Sequence, residues 1–209
     1  MIQSMSRNSS RRGTFVVLVG PDGVGKTSVA RELIHQFEGC TGYFHFRPPF
    51  WSTLDDMPGP EVGPRTVKSR TPENPVIGLA RLARSLLSFW AGYLRRIRPA
   101  VRRGCLVIGD RWAYGYVLQP RALGYSGPAW LARMALGMMP RPDTLVALQA
   151  PSDLVLSRKQ ELTAEEVLFE SEAVRSLRRP QAIVFQSIDP PDVVARRIIQ
   201  QLGISGPRR

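Results

Sequence analysis

The stretch from Gly20 to Ser28, Gly-Pro-Asp-Gly-Val-Gly-Lys-Thr-Ser, contains residue types that can hold a polyphosphate. It fits the pattern G-x-x-x-x-G-K-[ST], in which glycines let the backbone turn so that its N–H groups face oxyanions. Lys26 adds a mobile positive charge for the terminal phosphates, and the Thr27 hydroxyl can ligate Mg²⁺. The sequence therefore predicts a loop that binds ATP with Mg²⁺, formed by Gly20, Asp22, Gly23, Val24, Gly25, Lys26, Thr27 and Ser28.

The residues around this loop have the order that a phosphate-binding loop requires. An apolar, β-branched run at 14–19 precedes it, and apolar residues at helical spacing follow it over 28–37. The helix would direct its positive N-terminus at the same phosphates. A glycine-rich turn that binds nothing is the alternative, and the order of strand, loop and helix disfavours it.

Two further segments carry charges that could act on phosphates. Asp110 follows the apolar run 105–109, where an acidic residue can hold Mg²⁺ or its water shell, and Arg111 can direct a guanidinium at a phosphate or acceptor group. A structural ion pair at a strand end is the alternative. Arg158 stands in a basic hinge, and Thr163 with Glu166 forms a capping box. Residues 157–165 are thus predicted to be a short lid, with a plain helix–helix turn as the alternative.

The elements that must position these residues alternate along the chain. The pattern predicts strands at 14–19, 43–46, 105–109, 144–149 and 182–185, and helices at 28–37, 76–98, 128–138, 152–159, 164–177 and 192–202. Pro99 is expected to limit the second helix. Alternation indicates an α/β fold of the P-loop NTPase class, a doubly wound parallel five-stranded sheet with helices on both faces. Ligands bind such sheets at the carboxyl ends of the strands.

The length of 209 residues favours one domain over 13–209, preceded by an arm over 1–12 that is expected to be disordered. Residues 47–75 are rich in proline, which excludes a regular helix or central strand. A segment of this kind is either a substrate-side flap or disordered. The oligomeric state is not fixed by the sequence, and a homodimer is compatible with it.

Cysteine content, hydropathy and charge limit the possible cellular location and partners of the protein. Cys40 and Cys105 are far apart and show no metal spacing, so we expect no disulfide scaffold and a reducing, cytoplasmic location. No apolar run of 18 residues occurs, so no membrane span is predicted. The net charge of +12 suggests nucleic acid, but the arginines are dispersed without aromatic interleaving, which makes that partner unfavoured.

The order of these motifs resembles thymidylate kinases and related small P-loop kinases. The resemblance rests on "GPDGVGKTS", on "RPP" at 47–49, on "IRPAVRRGCLVIGDRW" from Ile97 and on "RPDTLVALQAP" from Arg141. It implies an ATP-dependent phosphotransferase acting on a small-molecule phosphate acceptor. It also implies roles in phosphate binding, Mg²⁺ binding and transfer for Lys26, Thr27, Asp110, Arg111 and Arg158, and a role in acceptor-phosphate binding for Arg47.

The sequence departs from that family where the acceptor base is read. Phe89 stands where thymidylate kinases carry the arginine that reads thymine, and Trp112 replaces a tyrosine. We therefore expect the acceptor to be held by Arg47, Phe89, Arg111 and Trp112, with thymidylate a poor acceptor. A nucleoside monophosphate is the first hypothesis, and a sugar or glycan-linked acceptor of polysaccharide biosynthesis is the second. A nucleotide-binding regulatory protein without phosphotransfer is the alternative of another class; the intact lysine and Asp-Arg pair disfavour it.

Overall fold

The computed structural model describes residues 12–49, 53–57, 75–120, 123–158, 169, 172–174 and 182–204. The predicted arm over 1–12 lies outside these ranges except for Arg12. Most of the flap over 47–75 and of the lid over 157–165 also lies outside them, so the predictions for these segments stay predictions.

Five parallel strands form one sheet in the order β2-β3-β1-β4-β5. The strands are β1 (Thr14–Val19), β2 (Thr41–His45), β3 (Leu106–Asp110), β4 (Thr144–Gln149) and β5 (Ala182–Gln186). β1 is central and pairs with both β3 and β4. All five predicted strands are present, and the predicted parallel sheet is confirmed.

Seven helices are seen in the described residues, and they cover both faces of the sheet. They are α1 (Lys26–Gln36), α2 (Pro75–Gly92), α3 (Arg98–Arg102), α4 (Gly115–Leu118), α5 (Ala129–Gly137), α6 (Ser152–Arg158) and α7 (Pro191–Leu202). Residues 172–174 are also helical. None of the helices within these ranges combines the length and the apolar character that a membrane crossing requires.

The alternation of side chains along β1 divides the core into two clusters. Phe15 and Val17 point to the cluster formed with α2, α3 and α5, whereas Val16 and Leu18 point to the cluster formed with α1 and α7. Because both faces of β1 are buried, apolar residues are needed on both, and the run at 14–19 therefore shows no alternation of polar and apolar residues. The predicted arrangement of helices on both faces is confirmed.

Pro99 does not end the second helix as the sequence suggested. α2 continues through a π-helical turn, Tyr93–Ile97, into α3, and the Arg98 N–H donates to the carbonyl oxygen of Tyr93, five residues earlier. Proline lacks an N–H and its ring collides with the carbonyl four residues before it, which is Arg95 here. Widening one turn accommodates the ring and lets the helix run on to Arg102.

The expectation of no disulfide was wrong. Cys40 and Cys105 are joined, with 4.5 Å between their Cα atoms and 65 residues of sequence separation. They immediately precede β2 and β3, which are neighbours in register from Thr41 and Leu106 onward. The Leu106 N–H donates to the carbonyl of Cys40. Sequence spacing concealed the pair because strand register, rather than distance along the chain, brings the two residues together.

Candidate active site

The phosphate loop follows β1 and ends where α1 begins. Gly20 has a φ of 145° and Gly25 a φ of 93°, conformations that side chains disfavour. A Cβ atom at Gly20 would lie 2.3 Å from the carbonyl oxygen of Leu148 on β4. The loop therefore needs glycine both for its turn and for its close approach to the neighbouring strand.

The ammonium group of Lys26 lies across the phosphate loop. Its Nζ donates to the carbonyl oxygens of Gly20 and Pro21, at 2.9 and 2.8 Å, and lies 3.3 Å from Oδ1 of Asp22. The side chain is only 5% exposed. The structure thus places the predicted lysine over the loop's inner surface, within reach of any phosphate held there.

Asp22 joins the phosphate loop to the end of β3. The Arg111 guanidinium donates to the same Oδ1 of Asp22 that lies near Lys26. The Arg111 backbone N–H also donates to the carbonyl of Leu18 on β1, at 2.9 Å. Lys26 and Arg111 are thus joined by a direct ionic link through Asp22.

Asp110 is buried at the carboxyl end of β3. Its Oδ2 accepts from the Tyr43 hydroxyl at 3.4 Å and lies 3.3 Å from Nδ1 of His45. Burial alone would raise the pKa of Asp110, but the His45 hydrogen bond and the charges of Lys26 and Arg111 outweigh it and lower that pKa. Burial and the Asp110 carboxylate raise the pKa of Tyr43, so its phenol remains a donor. Asp110 is therefore ionised at neutral pH.

The second carboxylate oxygen of Asp110 fits a cation. Oδ1 is buried and has no hydrogen-bond partner among the described residues. An orphaned, buried carboxylate oxygen is costly unless something binds it. Mg²⁺ takes oxygen ligands and is held in such sites by one or two protein oxygens together with phosphate. Asp110, with the half-buried Thr27 on the first turn of α1, has the donor set that this ion requires.

Among the described residues, three other than glycine have positive φ, and all lie at the carboxyl ends of β2 and β3. They are Phe46, Arg111 and Trp112, with φ of 60°, 72° and 47°. The Phe46 N–H donates to the carbonyl of Asp110, which ties the two strand ends together. Each such conformation costs about 1–3 kcal/mol and persists where the surroundings impose it, typically at functional sites.

Arg47 enters a network that the sequence did not reveal. Its guanidinium donates to Oγ of Ser85 on α2 at 2.8 Å, and that oxygen lies 2.6 Å from the Tyr116 hydroxyl on α4. Ser85 is fully buried and donates to the carbonyl of Arg81. The Arg47 guanidinium also lies over the ring of Phe46, 5.1 Å from its centre. This network fixes the direction of Arg47.

Phe89 and Trp112 belong to the hydrophobic core. Both are fully buried, their ring centres are 4.9 Å apart, and Phe46 packs edge-on against Phe89 at 5.4 Å. Phe46 is half-buried and therefore lies between the core and solvent. The predicted contact of Phe89 and Trp112 with an acceptor remains a prediction, and what the structure shows is that they support Phe46.

Of the remaining predicted site residues, the structure describes the side chains of Val24 and Ser28 but only the backbone of Arg158. Val24 is fully buried under the loop, and Ser28 lies half-buried on α1. Arg158 is the last residue of α6, so its backbone is described while its role in phosphate binding stays a prediction.

The sequence reasoning missed Ser187, which is buried after β5 and donates to the carbonyl of Val24 at 2.7 Å. It also missed Tyr43 and His45. The signal available for all three was their place at or near the carboxyl ends of strands.

Comparisons with known proteins agree with this geometry. A probable thymidylate kinase of Pyrococcus abyssi is 31% identical over 148 residues, 67% of this chain and 66% of that protein, which is just under two thirds of its length. A thymidylate kinase of Lactobacillus delbrueckii subsp. bulgaricus is 25% identical over 208 residues, 90% of this chain and 94% of that protein. No family model matches the chain.

A solved structure shares the fold. The thymidylate kinase of Candida albicans, described as having broad substrate specificity, superposes with a TM-score of 0.62 at 15% identity, covering 92% of this chain and 93% of that one. At this identity the likeness concerns the fold alone, and that fold is the P-loop NTPase sheet predicted above. With the two sequence relatives, it makes this chain similar to thymidylate kinases in both sequence and fold.

Proposed function

We propose that the protein transfers the γ-phosphoryl group of ATP to a small acceptor, most simply a nucleoside monophosphate. The observation that carries the proposal is the ionic cluster at the phosphate loop. Lys26 and Arg111 both contact Asp22, and their charges act on Asp110 beside them. A structural ion pair would need only one carboxylate and one cation. Two cations and two carboxylates at a strand edge provide what phosphoryl transfer needs, positioning and charge neutralisation without a protein nucleophile.

In the proposed reaction the cluster exchanges its present partners for phosphate oxygens. Lys26 releases the carbonyls of Gly20 and Pro21 and donates to the terminal phosphates of ATP. Arg111 leaves Asp22 and donates to the group that is transferred, where negative charge develops. Mg²⁺, bound through Thr27 and Asp110, would neutralise the phosphates. Asp110 is ready for this role because its lowered pKa keeps it ionised.

The acceptor is proposed to bind beside Arg47. Nε of Arg47 is buried and has no partner among the described residues, so the guanidinium still has capacity to donate. Its fork suits the monophosphate of a nucleotide. Phe46, supported from behind by Phe89, offers an aromatic surface for a base or a sugar face. Such a surface discriminates poorly between bases, so it is compatible with acceptors other than thymidylate.

The test is an ATP-consumption screen over nucleoside monophosphates, nucleosides and phosphosugars, run beside a Lys26→Ala variant. We expect turnover with at least one nucleoside monophosphate and its loss in the variant. Turnover with a phosphosugar alone would show that the acceptor is a phosphosugar instead of a nucleoside monophosphate, while the kinase activity would still stand. ATP binding without turnover on any acceptor would favour the regulatory protein and contradict the proposal.

A homodimer formed through α2 is part of the proposal. Exposed apolar residues recur on this helix and the first π-helical residues after it, at alternating spacings of four and three: Val76, Ala80, Ala83, Leu87, Trp90 and Leu94. This spacing is that of a helix–helix seam, and a second copy of the same helix would cover it. Light scattering should give twice the chain mass, and Leu87→Glu should give a monomer; a monomeric wild-type chain would contradict it. We also propose a cytoplasmic location, because ATP and nucleotide acceptors are available there. The Cys40–Cys105 disulfide removes the argument from reducing conditions, so this proposal rests on the substrates alone.

A further inference from the structure

A cavity lies at the opposite end of the sheet from the phosphate loop. It has a volume of about 290 Å³, and four arginines contribute to its lining: Arg12, Arg98, Arg102 and Arg141. Phe15, Tyr93, Val101 and Asp143 complete it. β1 separates this cavity from the loop by its six residues, roughly 20 Å at the usual rise of a strand. The two sites are therefore distinct.

The charges around this cavity do not balance. Asp143 is the only acidic residue among the described residues that line the cavity, and it is already engaged: Oδ2 accepts from the Phe15 N–H at 2.8 Å and Oδ1 lies 3.5 Å from Arg12. Within the described part of the chain, Arg98, Arg102 and Arg141 are not paired with any carboxylate. Three unpaired guanidinium groups around one concavity repel one another and attract a multivalent anion.

Two separate elements position these arginines beside the apolar residues of the cavity. Arg98 and Arg102 are four residues apart on α3 and so share one helix face. The π-helical turn links Tyr93 to Arg98, since the Arg98 N–H donates to the Tyr93 carbonyl. Arg141 comes from the segment before β4, a separate element. Turns of this kind recur at functional sites, and here the turn places an aromatic ring and a cation on the same cavity.

We propose that this cavity is a second anion site that binds a small phosphorylated molecule carrying at least two negative charges. Arginine, unlike lysine, donates in a fixed fork that matches phosphate oxygens, and every basic lining residue is arginine. The volume is at the small end for a ligand pocket, which favours a diphosphate or a mononucleotide over a larger molecule.

Inorganic pyrophosphate is the probe, titrated calorimetrically at constant ionic strength into three full-length proteins. They are the wild type, Arg98→Ala with Arg141→Ala, and the control Arg103→Ala with Arg133→Ala. The control pair is also exposed and removes the same charge away from the cavity. The phosphate loop is unchanged in all three, so any pyrophosphate bound there under the proposed function is common to them and the difference isolates the cavity.

We expect two pyrophosphate sites in the wild type and the control, and one site in the cavity variant, or a second site weakened at least tenfold. The proposal is overturned if the cavity variant keeps the wild-type stoichiometry and affinity. It is equally overturned if the control loses the second site to the same extent, since net charge would then explain the binding. A single site in the wild type would also overturn it if the cavity variant keeps that site. Melting curves check that all three proteins are folded.

Discussion

Removing the Cys40–Cys105 disulfide should lower the free energy of unfolding by about 4 kcal/mol. The bond closes a loop of 65 residues, and the loss of loop-closure entropy in the unfolded chain scales with the logarithm of that length. Unfolding a chain of 209 residues carries an entropy of roughly 0.4 kcal/mol/K, from a typical value per residue. The expected fall in melting temperature is therefore about 10 °C.

Cys40→Ser is the variant that isolates the bond. Cys40 is exposed, so the substitution removes the disulfide without changing the core. Cys105 is 1% exposed, and Cys105→Ser should lower the melting temperature further, because it also places a hydroxyl in an apolar cluster. Calorimetry of the wild type with and without dithiothreitol, beside Cys40→Ser, separates the two effects. The reduced wild type should have the same melting temperature as Cys40→Ser, and the reductant should not change the melting temperature of Cys40→Ser.

The reasoning is refuted if the native wild type titrates two free thiols under non-reducing conditions. It is also refuted if dithiothreitol reduces the bond without lowering the melting temperature. In that case register alone would hold β2 to β3, and the constraint on the unfolded chain would contribute nothing measurable.

Four other predictions concern the candidate active site and its acceptor. Lys26→Ala should lower kcat/KM at least 100-fold with a melting temperature within a few degrees of wild type, because its partners are loop carbonyls; wild-type kinetics would contradict the phosphate-loop assignment. Asp110→Ala and Arg111→Ala should each lower kcat more than they weaken ATP binding, as measured by steady-state kinetics and calorimetry; a loss of thermal stability alone would indicate a structural ion pair. Ser85→Ala should raise KM for the acceptor about tenfold with little effect on KM for ATP, because Arg47 loses its partner; equal changes in both would argue against an acceptor site there. Thymidylate should give a kcat/KM below about 10⁴ M⁻¹s⁻¹, and a higher value would show that Phe89 in place of the base-reading arginine does not matter.

The strands and the phosphate loop could be read from the sequence because their signals are local. β1 and β4 have the predicted bounds, and the ends of the other three strands differ from prediction by one or two residues. Glycine, lysine and threonine at fixed spacing after an apolar run require no knowledge of the rest of the chain. Asp110 could be placed for the same reason, since it directly follows a buried strand.

Contacts that depend on packing could not be read in this way. Arg47 reaches Ser85 across 38 residues, and Ser85 reaches Tyr116 across 31. Neither serine nor tyrosine stands in a sequence pattern that marks it, because only the tertiary packing of α2 and α4 brings the two residues together. The disulfide and the π-helical turn are similar cases, set by strand register and by the steric demand of Pro99.

The charges of the site explain how it can be both buried and ready for a ligand. Lys26 and Arg111 are balanced by Asp22 and Asp110, so the cluster carries no net charge, and a buried set of charges is tolerable when paired. Asp22 shares one oxygen between both cations, however, and one oxygen of Asp110 has no partner.

Phosphates bound together with Mg²⁺ would give additional partners both to the two cations and to Asp110. The cations would gain phosphate oxygens, and the orphaned oxygen of Asp110 would gain the metal. Phosphates without the metal would leave Asp110 close to added negative charge. Under the proposed function, the arrangement would therefore favour the metal–nucleotide complex over either component alone, which is the selectivity that a phosphotransferase needs.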